Sequence, residues 1–100
     1  MPKSIYRPEY TVMRTQIRAA RERAGLTQID LSEAIGMSQT YISHVERGVR
    51  RLDAVELWDI CRAMGLDLTE FIAEFQAAVS AQRHSKVKKA KSTGRPRKRE

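Results

Sequence analysis

The sequence is poor in the residues that build disulfide scaffolds, metal centres and membrane spans. Of its 100 residues, one is cysteine, two are histidine and three are proline. A single thiol, Cys61, cannot form a disulfide within the chain, and on an apolar helical stripe it reads as a small buried hydrophobe of a reducing compartment. Cys61, His44 and His84 do not stand at metal-ligand spacings. No apolar run approaches the roughly 20 residues that cross a bilayer. Met1 to Tyr10 lacks the hydrophobic segment of a signal peptide, so a cytoplasmic protein is expected. Catalytic constellations are missing as well. Ser43 and His44 are sequence neighbours whose side chains diverge on a helix, Asp30, Ser32 and Glu33 belong mostly to a solvated face, and there is no glycine-rich phosphate loop. The chain is therefore read as neither an enzyme nor a cofactor carrier.

Positive charge is abundant, and its distribution is uneven. The net charge is +7. Residues 83–100 hold nine basic side chains against Glu100, residues 1–52 hold nine against five acids, and residues 53–82 reverse the sign with Arg62 against six acids. A positive first half followed by a negative stretch orients a domain towards a polyanion. The length suits one small domain. Three segments are expected: an irregular arm over 1–10, a helical domain over 11–82, and a basic tail over 83–100 that is disordered alone because its hydrophobic pattern vanishes. In the arm, Lys3, Tyr6, Arg7 and Tyr10 either pack on the first helix or touch nucleic acid.

The organising stretch is Thr27 to Gly48. Thr27 is an N-cap with Asp30 three residues on, which predicts a helix from Gln28 to Ile35 ended by Gly36. Ser38 is a second N-cap and Gly48 a second stop, which predicts another helix from Gln39 to Arg47 after almost no loop. On that helix Ile42 and Val45 share the inward face. The opposite face carries Thr40, Ser43, His44 and Arg47, flanked by Gln39 and Tyr41. Amides and hydroxyls in place of a Glu/Lys mixture suit the major groove, where Gln and Thr address base edges and Arg meets a phosphate. An ordinary surface helix is the plainer alternative. Arg50 and Arg51, just past this helix, are placed to clamp flanking phosphates along with Arg47.

The other helices follow from spacing and caps. Met13, Ile17, Ala20 and Ala24 predict a helix from about Thr11 to Gly25, with Arg14 and Arg23 as solvated charge. In the second helix Leu31, Ala34 and Ile35 are expected to face the core. Asp53 and Glu56 cap a fourth helix with Leu57, Ile60, Cys61 and Met64 inward, and Gly65 closes it. Asp67 and Glu70 cap a fifth, whose Leu68, Phe71, Ile72, Phe75 and Val79 cover the core or also join a second copy. Trp58 lies off the inward seam and could belong to that second surface.

From Ile17 to Met64 the chain resembles the helix-turn-helix family of phage repressors, Cro and xenobiotic-response-element regulators of bacteria. The residues that carry the likeness are Arg21-x-x-x-Gly25-Leu26-Thr27-Gln28, Leu31, Ile35-Gly36-Met37-Ser38, Tyr41-Ile42-Ser43, Glu46-x-Gly48, Leu57-x-x-Ile60 and Met64-Gly65. Ser32 departs from it, standing where an Ala is usual, so its hydroxyl must find a backbone partner. The resemblance implies an all-α fold, a compact five-helix domain of the phage repressor type followed by the basic tail. It also implies an ion pair between Arg21 and Glu46, and a phosphate contact by Gln28 at a helix N-terminus. The expected function is a sequence-specific regulator of transcription on double-stranded DNA, a repressor, in a bacterial or phage-encoded, nucleoid-associated setting. Gln39, Thr40 and His44 would read bases with Ser43 nearby, while Gln28, Ser38, Tyr41, Arg47, Arg50 and Arg51 hold the backbone. A homodimer reading paired half-sites about one helical turn apart is implied too. The alternatives are the antitoxin of a toxin–antitoxin pair, the controller of a restriction system, and a scaffold that binds protein and no DNA. In the tail, Gly94-Arg95-Pro96-Arg97 is similar to the core of an AT-hook but lacks a second basic glycine flank, and a nonspecific phosphate binder is the simpler reading.

Overall fold

A computed structural model describes the backbone of residues 7–91 and the side chains of residues 7–82. Among the described residues there are five helices and no strand: α1 Pro8–Arg23, α2 Gln28–Ile35, α3 Gln39–Arg47, α4 Ala54–Ala63 and α5 Leu68–Lys91. The breaks lie where backbone chemistry requires them. Gly25, Gly36, Gly48 and Gly65 all have φ between 73° and 81°, a left-handed conformation that ends a helix at little cost only in glycine. The starts are fixed by side chains. Thr27 and Asp30 form a full reciprocal capping box on α2, as do Asp53 and Glu56 on α4, and Asp67 accepts from the Glu70 N–H at the start of α5.

The core lies where all five helices meet. Ile17, Leu31, Ile42, Ile60 and Cys61 are the largest side chains sealed from solvent, with Tyr41, Val45, Leu57, Met64 and Phe71 around them. α2 packs against α3 and α4, α1 against α3 and α5, and α4 against α5. This arrangement backs α3 from within and leaves its outer face open. Ser32 is only 3% exposed, a correction to its reading as part of a solvated face, and its Oγ donates to the Ile29 carbonyl at 2.8 Å, so the hydroxyl finds its partner one turn back. That bond lets Ser stand at a buried position of α2 without leaving a polar group unpaired.

Several expectations are corrected. α1 begins at Pro8, inside the stretch read as an irregular arm, because proline pre-sets the helical φ and its missing N–H costs nothing in the first turn. Ala24 is the C-cap of α1 and is exposed, and Ala34 on α2 is exposed while Leu31 and Ile35 pack inward. α5 runs past Arg83 to Lys91, through the lysines and Ala90 read as the beginning of the tail; Lys and Ala are good helix formers that can extend an existing helix. Lys3, Tyr6 and the Gly94–Arg97 stretch lie outside the described residues.

Candidate nucleic-acid interface

α3 is held at both ends and along its inner side. The Ser38 hydroxyl accepts the Tyr41 N–H at 3.1 Å, closing the first turn. At the other end Gly48 turns left-handed, and Arg14 Nη1 of α1 donates to the Arg47 carbonyl at 2.8 Å. A guanidinium there satisfies an orphan carbonyl and sits at the negative end of the helix dipole. The approach is so close that a Cβ on Gly48 would lie 1.7 Å from Arg14 Nη1. Arg14 is thus a fastening residue of α3, a correction to its reading as solvated charge. Periodicity on α1 alone cannot reveal it, because the partner is a main-chain oxygen 33 residues away.

The strongest tie is the expected ion pair. Arg21 Nε donates to Glu46 Oε2 at 2.6 Å and Nη2 to Oε1 at 3.0 Å, while Nη1 reaches the Leu26 carbonyl at 2.8 Å. The two side chains are 10% and 3% exposed. Hydrogen bonding to Glu46 raises the Arg21 pKa above its ordinary value despite the opposing effect of burial, so the guanidinium stays charged. A forked pair in this geometry fixes the angle of α3 against α1 as well as its distance.

From Glu46 a relay leads to the surface. Gln28 Nε2 donates to Glu46 Oε1 at 3.1 Å, and Gln39 Nε2 donates to Gln28 Oε1 at 3.4 Å. A carboxylate can only accept, so Gln28 must turn its NH2 inward and its oxygen outward. Gln39 then answers with an N–H and keeps its own oxygen for whatever approaches. The Gln28 side chain, expected to meet a phosphate, gives one amide hydrogen to Glu46 and its oxygen to Gln39, which leaves the second amide hydrogen and the helix N-terminus for an anion.

The outer surface of α3 is uncommitted. Gln39, Thr40 and Arg47 are exposed, and Ser43 and His44 half-buried. Among the described residues, the side chains of Thr40, Ser43, His44 and Arg47 make no hydrogen bond or ion pair to the rest of the chain. Tyr41 behaves differently from its expected place beside that face. It is 9% exposed, because its ring closes the core between α3 and the following loop, and burial raises its pKa, with the Glu56 charge adding to the effect. The Arg50 guanidinium lies 4.9 Å above its ring and forms an ion pair with Glu56. Arg51 is exposed beside it. Glu56 was legible only as a cap; its second oxygen, turned to Arg50, depends on the path of the 48–53 loop.

Among the described residues no group of three or more His, Cys, Asp or Glu side chains could hold a metal ion. Cys61 is sealed in the core, and burial pushes its thiol up to about 11. No described helix is long and apolar enough to cross a membrane.

Comparison with known proteins agrees with this geometry. Residues 17–71 match the helix-turn-helix family. An uncharacterized HTH-type transcriptional regulator, y4dL of Sinorhizobium fredii, is 40% identical over 53 residues, which is 53% of this chain and 27% of that protein; the chain thus spans about a quarter of that relative's length. The XRE-family like protein from Pseudomonas syringae superposes with a TM-score of 0.70 at 33% identity, covering 76% of this chain and 93% of the other. The restriction-modification controller protein C.Esp1396I, solved as a tetramer with its natural 35 base-pair operator, has a TM-score of 0.64 at 26% identity over 69% of this chain and 91% of the other. With the second half of α1, the whole of α2, α3 and α4, and the start of α5 inside the matched span, and with the helix pair fastened and its outer face free, the chain belongs to the helix-turn-helix family.

Proposed function

We propose that this protein is a sequence-specific regulator of transcription that binds double-stranded DNA, acts as a repressor, and lays α3 in the major groove. The observation that carries the reading is the division of labour on α3. Tyr41, Ile42, Val45 and Glu46 hold it to the domain, and the side chains of Thr40, Ser43, His44 and Arg47 make no hydrogen bond or ion pair with the other described residues. Gln39, Thr40 and His44 read base edges, with Ser43 beside them, and Ser38, Arg47, Arg50, Arg51 and the N-terminus of α2 at Gln28 hold phosphates. Tyr41 serves from below, as the platform under Arg50.

The test is selection of bound duplexes from a random pool, followed by the pair Gln39→Ala and Thr40→Ala on the selected operator. Loss of discrimination with nonspecific binding retained supports the reading, and an unchanged preference rejects it. Arg47→Ala should weaken binding to all sequences alike and reduce the salt slope by about one.

The working unit is a homodimer, with half-sites spaced about one helical turn. Val55 and Trp58 of α4 and Ile72 of α5 are large apolar side chains at 66%, 46% and 39% exposure, with the Arg62 guanidinium 4.6 Å from the centre of the Trp58 ring, and they are the side chains on these two helices assigned to a second copy. Sedimentation of the full chain with and without duplex measures this. A restriction-system controller is the second reading, favoured by the likeness to C.Esp1396I; a methyltransferase gene beside this one would support it, and a co-purifying small protein would instead indicate an antitoxin.

A further inference from the structure

Arg50, Tyr41 and Glu56 come from three different segments: the loop after α3, the first turn of α3, and the first turn of α4. They nevertheless form one cluster. The Arg50 guanidinium is stacked 4.9 Å from the centre of the Tyr41 ring and paired through Nη2 with Glu56 Oε2. The other Glu56 oxygen accepts the Asp53 N–H at 3.0 Å, as half of the α4 capping box. The backbone of the loop is pinned as well, for the N–H groups of Val49 and Arg50 both donate to the His44 carbonyl, at 2.9 and 3.2 Å. Arg50 is exposed all the same, and a guanidinium has five N–H donors in a rigid fork. The ion pair occupies one edge of that fork. A free arginine in a loop would lose its rotamer freedom on meeting a phosphate; this one has already lost much of it.

We propose that Glu56 is a positioning residue for DNA binding: with Tyr41 as a platform, it holds Arg50 so that the remaining edge of the guanidinium meets one phosphate at the border of the α3 footprint. The proposal rests on the DNA-binding reading above. It makes a prediction opposite in sign to simple electrostatics, because a carboxylate close to a polyanion repels it, and removing that charge should by itself tighten binding.

The experiment is a double-mutant cycle on the full chain, with affinity for a defined duplex measured over a range of salt. Glu56→Gln removes the charge and keeps an amide that can still close the α4 capping box, and circular dichroism verifies that the helices remain. Glu56→Gln should bind about threefold to tenfold more weakly than the native chain, the usual penalty for ordering one long side chain. Its salt slope should stay unchanged, because the phosphate contact is still made. Arg50→Ala should lower the slope by about one. In the Arg50→Ala background Glu56→Gln should no longer weaken binding, and Arg50→Lys, which keeps charge without the planar fork, should abolish most of the coupling. Native or tighter binding by Glu56→Gln, or a loss that persists in full without Arg50, overturns the proposal. Either result leaves the groove-reading function standing if Gln39→Ala and Thr40→Ala still abolish discrimination, whereas a native chain that binds no duplex removes both.

Discussion

Deleting the Arg21 guanidinium tests most directly how α3 is fastened. Its partner, Glu46, has a side chain only 3% exposed. It receives two hydrogen bonds from Arg21 and one from Gln28. In Arg21→Ala that carboxylate stays out of water with a single neutral donor, and the Leu26 carbonyl loses its partner as well. Breaking a buried pair from one side costs about 3–5 kcal/mol, since the remaining charge keeps its desolvation penalty and loses its compensation. A domain of this size has in total about 5–15 kcal/mol of stability. At ordinary denaturant dependence the urea midpoint should fall by at least about 1 M. Replacing both members, Arg21→Met with Glu46→Leu, should recover most of the loss, because the pair contributes geometry more than net stability. Urea unfolding followed by far-ultraviolet circular dichroism measures all three chains. If Arg21→Ala unfolds within about 1 kcal/mol of the native protein, or if the apolar double variant unfolds earlier than Arg21→Ala, the reasoning about this pair is wrong.

Two further predictions concern the termini of the helix pair. Gly48→Ala should cost about 1–2 kcal/mol for a left-handed residue with a Cβ, together with the Arg14 bond to the Arg47 carbonyl that the new Cβ displaces, and thermal melts should show a smaller but still clear cost in an Arg14→Ala background, because the side chain of Arg14 can move and the backbone cannot. Full relief in that background would mean that the contact, and not the φ of 81°, sets the penalty. The Asp30 carboxyl is held below its ordinary value by the Thr27 N–H and hydroxyl. Its contribution is therefore complete above the unfolded carboxylate range and disappears as pH falls through the lower folded value. The stability gap between native protein and Asp30→Ala should be present at pH 6 and close on acidification; a gap that widens in acid would contradict the capping account.

Most of the fold was legible in the sequence because short-range chemistry decides it. Thr27, Ser38 and Asp53 cap the helices predicted after them, and Gly25, Gly36, Gly48 and Gly65 turn the chain where the apolar pattern stops. Leu57, Ile60, Cys61 and Met64 are inward as their spacing demands. The Arg21–Glu46 pair followed from the resemblance and not from any local pattern. What stayed hidden depends on where a side chain ends, not where it starts. Arg14 looked like every other exposed cation on α1, yet its tip reaches a main-chain oxygen on α3. Tyr41 is placed by angle at the border of the polar face, and its length allows the ring to turn under the loop. Gln28 carries an amide that can serve an anion or a neighbour, and the position of Glu46 fixes which end of it turns inward. At the N-terminus, a helix beginning at Pro8 without any side-chain cap leaves no signal beyond the proline itself.

The open outer edge of α3 has a consequence for how such a protein can change over generations. Since the fasteners are Ser38, Tyr41, Ile42, Val45, Glu46 and Gly48, the exposed positions 40 and 47 can drift with little penalty to folding, and the half-buried positions 43 and 44 within the limits of size. Position 39 is less free, for a newcomer there must still satisfy Gln28. On the proposed reading of α3, new target preferences are thus within reach of single substitutions on a chassis that does not have to be rebuilt.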